Sequence, residues 1–324
     1  MCGRGSVFIE APARLHFGVL DLRGALGRRF GGLGAAVPSP SLLLEAVPDD
    51  RLSAYGPDAA RAQAFAERFL AHHGLRGGAR LTVHRAIPTH SGLGSGTQLG
   101  LAVARALAEL HGLPTDAVGL AQAVGRGRRS AIGTWTFALG GFIVEGGRRA
   151  GADEIAPLLA RFVLPPSWRC VVAVPAGSPG LSGDAEAAAF EQLPPPAERE
   201  VERVAHLVLM QLLPALVEAE LGGFGAALTE IQRVTGAWFA PSQGGVFAPG
   251  PSETLVRGMA EWGAAGVGQS SWGPAVYGLS GDQDESRNIA ARAAALVGPA
   301  GRVFEGGFAA AGARVWRSET GPNP

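Results

Sequence analysis

The sequence contains no lysine, and all 28 residues counted as Lys+Arg are arginines. Without lysine, the chain cannot form the Schiff base that pyridoxal phosphate and many carbonyl substrates require. The lysine of the common ATP-binding P-loop is excluded for the same reason. A side-chain cation that binds an anion in this protein must therefore be arginine, whose planar guanidinium group fits carboxylates and phosphates.

Cysteine, net charge and long apolar runs are also scarce. The two cysteines, Cys2 and Cys170, fit neither a zinc-binding spacing nor a disulfide framework. The formal net charge of zero gives no electrostatic preference for nucleic acid or membrane surfaces. No apolar run reaches the roughly 20 residues of a membrane span, and the first residues do not resemble a signal peptide. We therefore expect a globular, cytoplasmic protein that binds neither nucleic acid nor membrane.

The strongest functional signal is the glycine-rich segment Pro88–Gln98. It follows a strand predicted over Ala79–Arg85 and precedes a helix predicted over Thr97–Leu110. Glycines let backbone N–H groups approach a ligand, and a helix start adds unpaired N–H groups and the positive end of the helix dipole. This order predicts a phosphate site, and a tight turn without a ligand is the alternative. The candidate binding residues are Ser91, Gly92, Leu93, Gly94, Ser95, Gly96, Thr97 and Gln98.

A second candidate site is a polar turn between two apolar strands near the N-terminus. It is followed by Gly31-Gly32-Leu33-Gly34, which indicates a close approach of the backbone to another group. One acid and three arginines within nine residues favour an anion site, with the acid binding a metal or orienting a ligand. A charged hairpin in solvent is the alternative. These residues are Asp21, Arg23, Arg28 and Arg29.

Two further segments remain open between a functional and a structural interpretation. Gly125–Phe137 contains three arginines beside glycines, which fits an anion site or a solvated face equally well. Ala265–Pro274 contains Gln269 and Ser270, which fit a ligand-binding loop or a structural turn. His16, on a predicted strand between two apolar residues, favours a hydrogen-bonded structural role over a catalytic one when it is considered alone.

The element pattern predicts an α+β protein with two domains, residues 1–164 and 165–324. The first half mixes strands and helices, with a break between strands at Pro12 and a strand over Phe137–Glu145. The second half contains long helices, including one predicted over Ala197–Leu216. A glycine-rich loop is predicted over Gly263–Gly273, before a strand.

The order of these motifs resembles the GHMP kinase superfamily. The resemblance rests on Ala-Pro-Ala-Arg at 11–14, on Pro-x-x-x-Gly-Leu-Gly-Ser at 88–95 and on the late Gly-x-Gly loop before a strand. It implies a two-domain fold, with an N-terminal domain like domain 2 of ribosomal protein S5 and an α+β C-terminal domain. It also implies a phosphate site at the loop Gly92–Gly96.

Within the superfamily, the residues Arg14–Gly34 and Gln269–Pro274 resemble the β-ribofuranosylaminobenzene 5′-phosphate synthases of tetrahydromethanopterin biosynthesis. The resemblance implies a pentosyltransferase that converts 4-aminobenzoate and 5-phosphoribosyl 1-diphosphate into a C-riboside 5′-phosphate, carbon dioxide and diphosphate, with Mg²⁺ as cofactor. The hydroxy analogue of 4-aminobenzoate remains open as the acceptor, and a homodimer is possible.

The resemblance also carries a set of expected residue roles. We expect Asp21 and Arg28 to be catalytic, and Asp21 and Ser95 to bind the metal. The substrate and phosphate contacts beyond the glycine loop are expected from Arg14, His16, Arg29, Gln269 and Ser270.

Two other functions compete with this interpretation. The first is an ATP-dependent small-molecule kinase of the same superfamily, but Gly96 replaces a common serine of the kinase loop. Thr134 also falls where many of these kinases carry an aspartate, and a threonine cannot act as their catalytic base. The second is a sensor that binds a phosphorylated ligand without converting it.

Overall fold

The computed structural model describes residues 5–177, 180 and 183–318. The first part of the chain contains β1 (Ser6–Asp21), β2 (Arg28–Asp49), β3 (Ser53–Tyr55), α1 (Ala59–His72), β4 (Gly78–Arg85), α2 (Ser95–His111), α3 (Ala117–Ala123), α4 (Ile132–Leu139), β5 (Phe142–Glu145), β6 (Arg148–Arg149) and β7 (Leu158–Phe162). The second part contains β8 (Arg169–Val174), α5 (Gly183–Gln192), α6 (Glu198–Leu207), a π-helical turn (Val208–Leu212), α7 (Leu213–Val217), α8 (Leu221–Gln243), α9 (Pro251–Glu261), β9 (Gly266–Gln269), β10 (Val276–Ser280), α10 (Gln283–Val297), β11 (Arg302–Gly306) and β12 (Arg314–Ser318).

The larger sheet has eight strands, with the order β12-β1-β2-β4-β3, while β5 and β6 also pair with β2 and β7 pairs with β5. Strand β1 is antiparallel to β2 along almost its whole length. The last strand, β12, pairs with β1, although it lies in the segment assigned to the second domain. The domain boundaries therefore stay a prediction.

Helix α2 covers this sheet because its alanine and leucine side chains are buried from Leu99 to Ala108. It packs against β1, β2 and α1, and the glycine loop that precedes it is held against the middle of β1, where the N–H of Arg14 donates to the carbonyl of Leu93 at 3.1 Å. Small side chains allow this close packing of helix on sheet, and their burial is the main stabilising contribution of α2.

The smaller sheet is antiparallel, with the order β11-β8-β10-β9, and helices α9 and α10 pack on it. Helix α8 crosses β9 closely, since a Cβ atom at Gly266 would lie 2.7 Å from the Cα atom of Gly225. Gly266 and Gly268 of the predicted loop Gly263–Gly273 thus allow the close packing of α8, and part of that segment is the strand β9 rather than a loop.

Three local predictions were wrong. Pro12 does not break β1, since the chain passes it with a shift of pairing register between Pro12 and Ala13. The predicted strand Phe137–Glu145 is the end of α4 followed by β5, because Gly140, with a φ angle of +64°, ends the helix and lets the chain turn into the strand. The predicted helix Ala197–Leu216 is interrupted by the π-helical turn before Pro214, which cannot donate a helical hydrogen bond.

None of the helices in the part of the chain that the structure describes has the length and apolarity needed to cross a membrane.

Candidate active site

A cavity of about 530 Å³ opens between the larger sheet, α8 and the segment between α3 and α4. Its walls carry more polar than apolar surface, so it suits a charged or strongly polar ligand. Residues from β1, β2, α1, α2, α5 and α8 all contribute to it. The cavity is thus assembled from both halves of the chain.

The glycine loop forms one border of this cavity. Gly92 and Gly94 have φ angles of +82° and +78°, which glycine adopts without strain, and Gly94 is the N-cap of α2. The side chain of Arg14 runs across the loop, since a Cβ atom at Gly94 would lie 2.8 Å from its Cγ atom. The Arg14 guanidinium group donates a hydrogen bond to the carbonyl of Gly92. The first N–H groups of α2 and a guanidinium group therefore point to the same region.

Ser270 connects the glycine loop with β1 through two hydrogen bonds of its hydroxyl group. Its hydroxyl donates to the carbonyl of Gly92 at 2.7 Å and accepts from the N–H of His16 at 2.9 Å. The N–H of Ala275 also donates to the carbonyl of Ser91 at 3.0 Å. The loop that follows β9 thus fixes the position of the glycine loop relative to β1.

An arginine cluster, formed by Arg14, Arg61, Arg68, Arg126 and Arg129, surrounds the start of α2. A Cβ atom at Gly96 would lie 2.8 Å from Nη2 of Arg61 and 3.1 Å from Nη2 of Arg126. Glycine at this position therefore lets the guanidinium groups approach the helix start.

Arg126 shows most clearly that the arginine cluster is short of negative charge. Its guanidinium group lies over the ring of Phe65, 4.8 Å from the centroid, and its Nε atom is buried without a hydrogen-bond partner in the described part of the chain. Burial, followed by the charges of Arg61, Arg68 and Arg129, lowers the pKa of Arg126 to about 10. Such crowding of cations is unfavourable unless an anion binds among them.

Carboxylates offset only part of this positive charge. Glu186 pairs with Arg129 at 2.6 Å, and Asp58 pairs with Arg61 at 3.2 Å. Among the described residues, Arg14, Arg68 and Arg126 have no ion pair. Three guanidinium groups are therefore available for a ligand with several negative charges, such as a diphosphate.

An aromatic wall, formed by Phe30, Phe190 and Phe239, lines another side of the cavity. The ring of Phe190 lies 5.6 Å from that of Phe30 and 5.7 Å from that of Phe239, in edge-to-face contacts. Helix α5 contributes to both the arginine cluster and the aromatic wall. Glu186, which pairs with Arg129, and Phe190 are one turn apart on its surface. The cavity therefore places an anion-binding region beside a surface suited to a flat ring.

His16 and Glu145, which are buried, and the half-buried Ser130 form the buried polar cluster at the base of the cavity. The Ser130 hydroxyl lies 3.3 Å from Nε2 of His16, and the N–H of Gly147 donates to Oε2 of Glu145 at 2.7 Å. Burial, followed by the charge of Arg14, lowers the pKa of His16 to about 3, so its ring is neutral. Burial raises the pKa of Glu145 to about 7, and its hydrogen bonds and the charge of Arg28 limit the rise.

We expect Glu145→Gln to stabilise the protein at neutral and alkaline pH. A carboxyl whose pKa is about 7 when folded and 4.5 as a model compound contributes stability below pH 4.5 that is lost as the pH rises through 7. Since glutamine does not titrate, the variant should gain on the order of 3 kcal/mol in free energy of unfolding relative to the native protein between pH 4.5 and 8. Urea unfolding of both proteins across this range measures the difference, and a difference independent of pH would contradict the burial of a titrating carboxyl.

The structure brings several of the predicted residues to the cavity. Arg14, His16, Thr97 and Gln269 line it directly. Others support its border. The hydroxyl of Ser91 donates to the carbonyl of Pro88, Leu93 is buried in the core, and the side-chain amide of Gln98 donates to the carbonyl of Gly133. Ser95 and Gly96 begin α2 beside the arginine cluster.

The structure does not bring Asp21, Arg28 and Arg29 into the lining of the cavity. Oδ1 of Asp21 accepts the N–H groups of Arg23 and Gly24, which closes the turn between β1 and β2. The side chains of Arg28 and Arg29 donate from Nε to the carbonyls of Gly146 and Leu22. These contacts explain the three residues as parts of the hairpin, and their catalytic, metal-binding and substrate-binding roles stay predictions.

Sequence reasoning missed Arg61, Arg68, Glu186 and Glu145, and it left the arginines of Gly125–Phe137 undecided. Both missed arginines lie on α1, where charged side chains are expected on the exposed face of the helix. Glu145 does carry a signal, since it is a single carboxyl in the apolar strand Phe142–Glu145. A charge in such a segment is costly to bury and therefore indicates a specific role.

Comparison with known proteins places the chain in a family. Residues 60–141 match the family described as GHMP kinases N terminal domain, and residues 212–298 match GHMP kinases C terminal. A β-ribofuranosylphenol 5′-phosphate synthase of Methanothermobacter thermautotrophicus is 34% identical over 93% of this chain and 96% of the relative. The chain belongs to the β-ribofuranosylphenol 5′-phosphate synthase family. A synthase of the same name from Archaeoglobus fulgidus is 34% identical over 84% of this chain and 87% of its own length.

Solved structures agree with the GHMP kinase fold of this synthase family. The homoserine kinase of Cytophaga hutchinsonii superimposes with a TM-score of 0.70 at 17% identity, covering 96% of this chain and 97% of that protein. The galactokinase of Lactococcus lactis gives a TM-score of 0.67 at 13% identity and 95% coverage of both chains. The predicted α+β GHMP-kinase-like fold and the predicted membership among these synthases are confirmed, and the chain is an enzyme of the synthase type.

Proposed function

We propose that this enzyme transfers the phosphoribosyl group of 5-phosphoribosyl 1-diphosphate to a para-substituted benzoate, with release of carbon dioxide and diphosphate. The observation that carries the proposal is the single cavity in which the arginine cluster lies beside the aromatic wall. A highly charged donor and a flat aromatic acceptor are the two kinds of group that such a cavity binds.

The glycine loop and the arginine cluster bind the diphosphate of the donor. As the bond between the anomeric carbon and the diphosphate oxygen breaks, its electron pair leaves with the diphosphate. Guanidinium groups and helix N–H groups that are already in place stabilise this charge without reorganisation. Arg14, Arg68 and Arg126, which have no carboxylate partner among the described side chains, supply the positive charge.

The aromatic wall holds the benzoate ring so that its carboxyl-bearing carbon faces the sugar. The para substituent donates electron density to this carbon, which attacks the anomeric carbon. Loss of carbon dioxide then returns an electron pair to the ring and restores its aromaticity. The reaction needs neither a covalent nucleophile nor a lysine, in agreement with the composition of the chain.

Two acceptors fit this chemistry. The sequence predicts 4-aminobenzoate, whereas the relatives carry a name that denotes a phenol product, which corresponds to 4-hydroxybenzoate. Both present a carboxylate, a flat ring and an electron-donating para group, and we propose both as substrates to be compared.

The described residues do not fit a dedicated Mg²⁺ site. They contain no group of three or more histidine, cysteine, aspartate or glutamate side chains that could hold a metal ion. Oδ1 of Asp21 is already occupied by two backbone N–H groups, and Ser95 offers a single hydroxyl. Mg²⁺ therefore stays a prediction, as do the cytoplasmic location and the homodimer, and we assign the neutralisation of the diphosphate to arginine.

The structure has no catalytic base at the position where many kinases of this superfamily carry an aspartate, because Thr134 occupies it. Thr134 is fully buried in α4, and its Oγ1 atom has no hydrogen-bond partner within residues 5–177, 180 and 183–318. A buried threonine cannot accept the proton of a substrate alcohol as an aspartate does. The likeness to kinase structures concerns the fold, which does not determine the reaction.

We expect the purified enzyme, given 5-phosphoribosyl 1-diphosphate and a carboxyl-labelled acceptor, to release labelled carbon dioxide and diphosphate in equal amounts. Reactions with 4-aminobenzoate and with 4-hydroxybenzoate, each with and without Mg²⁺, identify the acceptor and test the metal. ATP turnover on small alcohols without carbon dioxide release would establish a kinase instead. Tight binding of the phosphoribosyl donor without any turnover would indicate a sensor.

A further inference from the structure

The buried polar cluster contains a directed chain of hydrogen bonds. The N–H of Gly18 points to Nδ1 of His16 at 3.4 Å, which makes Nδ1 an acceptor and leaves the ring hydrogen on Nε2. The Ser130 hydroxyl oxygen accepts from Nε2 at 3.3 Å and from the N–H of Ile132 at 3.3 Å. Both contacts are longer than regular N–H···O hydrogen bonds, so a hydroxyl group of a ligand can replace the N–H of Ile132 on the Ser130 oxygen, and the hydrogen of Ser130 is directed to another acceptor.

Glu145 is the acceptor beside this hydroxyl, because a hydrogen bond from the Ser130 side chain is among the contacts that oppose the rise of its pKa. It is fully buried, its Oε1 atom makes no regular hydrogen bond, and it forms no ion pair among the described side chains. Gly32 separates it from the histidine, because a Cβ atom there would lie 3.3 Å from Oε1 of Glu145 and 3.4 Å from Nε2 of His16. The missing side chain keeps the carboxyl and the imidazole in the same small space.

A structural role alone does not account for this carboxyl. A buried charge without an ion pair costs free energy, and the partners of this carboxyl are uncharged: the N–H of Gly147 at 2.7 Å, the N–H of Ala131 and the hydroxyl of Ser130. His16 and Ser130 line the cavity, whereas Glu145 lies behind them. The arrangement is typical of a base that exchanges protons with a ligand through an intervening hydroxyl.

We propose that Glu145, acting through Ser130, receives the proton of the acceptor's para hydroxyl group, and that His16 holds Ser130 in position. Ser130 is the catalytic residue of this step because it contacts the substrate, and Glu145 and His16 are positioning residues. The inference rests on the proposed function, and it assigns the side of the cavity that the para substituent faces.

The step balances without an additional reactant. The phenol proton moves to Ser130 as the Ser130 proton moves to Glu145, and the freed oxygen electrons enter the ring. The ring carbon bonds to the anomeric carbon, and diphosphate leaves with the electron pair of its bond. When the bond to carbon dioxide breaks, its electrons restore the aromatic ring as a phenolate, which takes the proton back along the same path. Glu145 ends as it began.

This relay serves a hydroxyl acceptor more than an amino acceptor. A phenol has a pKa of about 10, so it donates electrons weakly until its proton is removed. An aromatic amine carries a free lone pair and needs no base. We therefore expect the relay to favour 4-hydroxybenzoate and to matter little for 4-aminobenzoate.

The relay also predicts a pH dependence. Glu145 must be ionised to accept the proton, and burial raises its pKa to about 7, so kcat/KM for 4-hydroxybenzoate rises with pH through about 7. The groups that face Glu145 do not change over this range. His16 on β1 is neutral because its pKa is about 3, and the Arg28 guanidinium on β2 is the charged group that acts on the carboxyl.

The experiment compares Glu145→Gln and Ser130→Ala with the native enzyme on both acceptors. We expect kcat/KM for 4-hydroxybenzoate to fall about 100-fold in each variant, with loss of the rise near pH 7. The value for 4-aminobenzoate should change less than about threefold, which shows that the variants are folded. The matched control is Glu154→Gln, a half-exposed carboxyl beside Arg28 outside the cavity, which should leave both reactions unchanged.

Equal losses on the two acceptors would overturn the relay, as would an unchanged pH profile in Glu145→Gln. A native enzyme that converts only 4-aminobenzoate would also overturn it, while leaving the proposed function intact. A native enzyme that converts neither acceptor would reject the proposed function itself.

Discussion

Arg126→Met should lower kcat/KM for 5-phosphoribosyl 1-diphosphate by about 100-fold or more while the protein remains folded. The guanidinium group lies beside Gly96 at the start of α2, and its Nε atom has no hydrogen-bond partner among the residues that the structure describes. Charge-assisted hydrogen bonds contribute about 1.5–3 kcal/mol each, and loss of two of them corresponds to this decrease. Steady-state kinetics with varied donor and saturating acceptor measure it.

Stability should change in the opposite direction in this variant. Methionine keeps an apolar contact with the ring of Phe65 and removes a buried charge that repels Arg61, Arg68 and Arg129. The melting temperature of Arg126→Met is therefore expected at or above that of the native protein. Arg76→Met, at an exposed loop arginine outside the cavity, is the control and should retain full activity. If the kinetics with the donor were unchanged in Arg126→Met, the arginine cluster would not be the site that binds the donor.

Gly92→Ala should destabilise the protein by about 3 kcal/mol or more and abolish turnover. The φ angle of Gly92 is +82°, and a Cβ atom there would lie 2.2 Å from the carbonyl oxygen of Ser270. Backbone atoms cannot move aside as a flexible side chain can, so the glycine loop must separate from the loop after β9. The separation removes the contacts of Ser270 with Gly92 and with His16.

Gly74→Ala is the matched control for this substitution. Gly74 has a φ angle of +61°, but no described atom lies within 4 Å of its added Cβ atom. The variant should therefore lose only the free energy of unfolding that a left-handed alanine costs, about 1 kcal/mol. Urea unfolding of both variants separates backbone strain from the collision. Equal losses of free energy of unfolding would show that the two loops are not clamped together at Gly92.

The glycine loop was predictable because its elements are adjacent in sequence. A strand, glycines and a helix start follow one another within about 30 residues, and local chemistry determines such a unit. The same local reasoning assigned Asp21 to the site because it is close to three arginines along the chain. In the structure, its carboxylate closes a turn, which is the other common use of an aspartate at such a place.

The helix and strand errors have a related cause. The residues of α4 prefer strands when they are considered alone, yet they are buried between α2 and the sheet as a helix. Packing energies from distant residues exceed the small intrinsic preferences of single residues.

The amino-acid sequence alone determined that arginine is the only strong side-chain cation, and it determined the local unit in which α2 begins at a glycine loop. Tertiary structure decided which arginines meet there and which carboxyl is buried behind the cavity. Arg61 and Arg126 lie 65 positions apart in sequence, yet both approach Gly96. Electrostatic energies depend on distance and on exclusion of water, and folding sets both between residues that are remote along the chain.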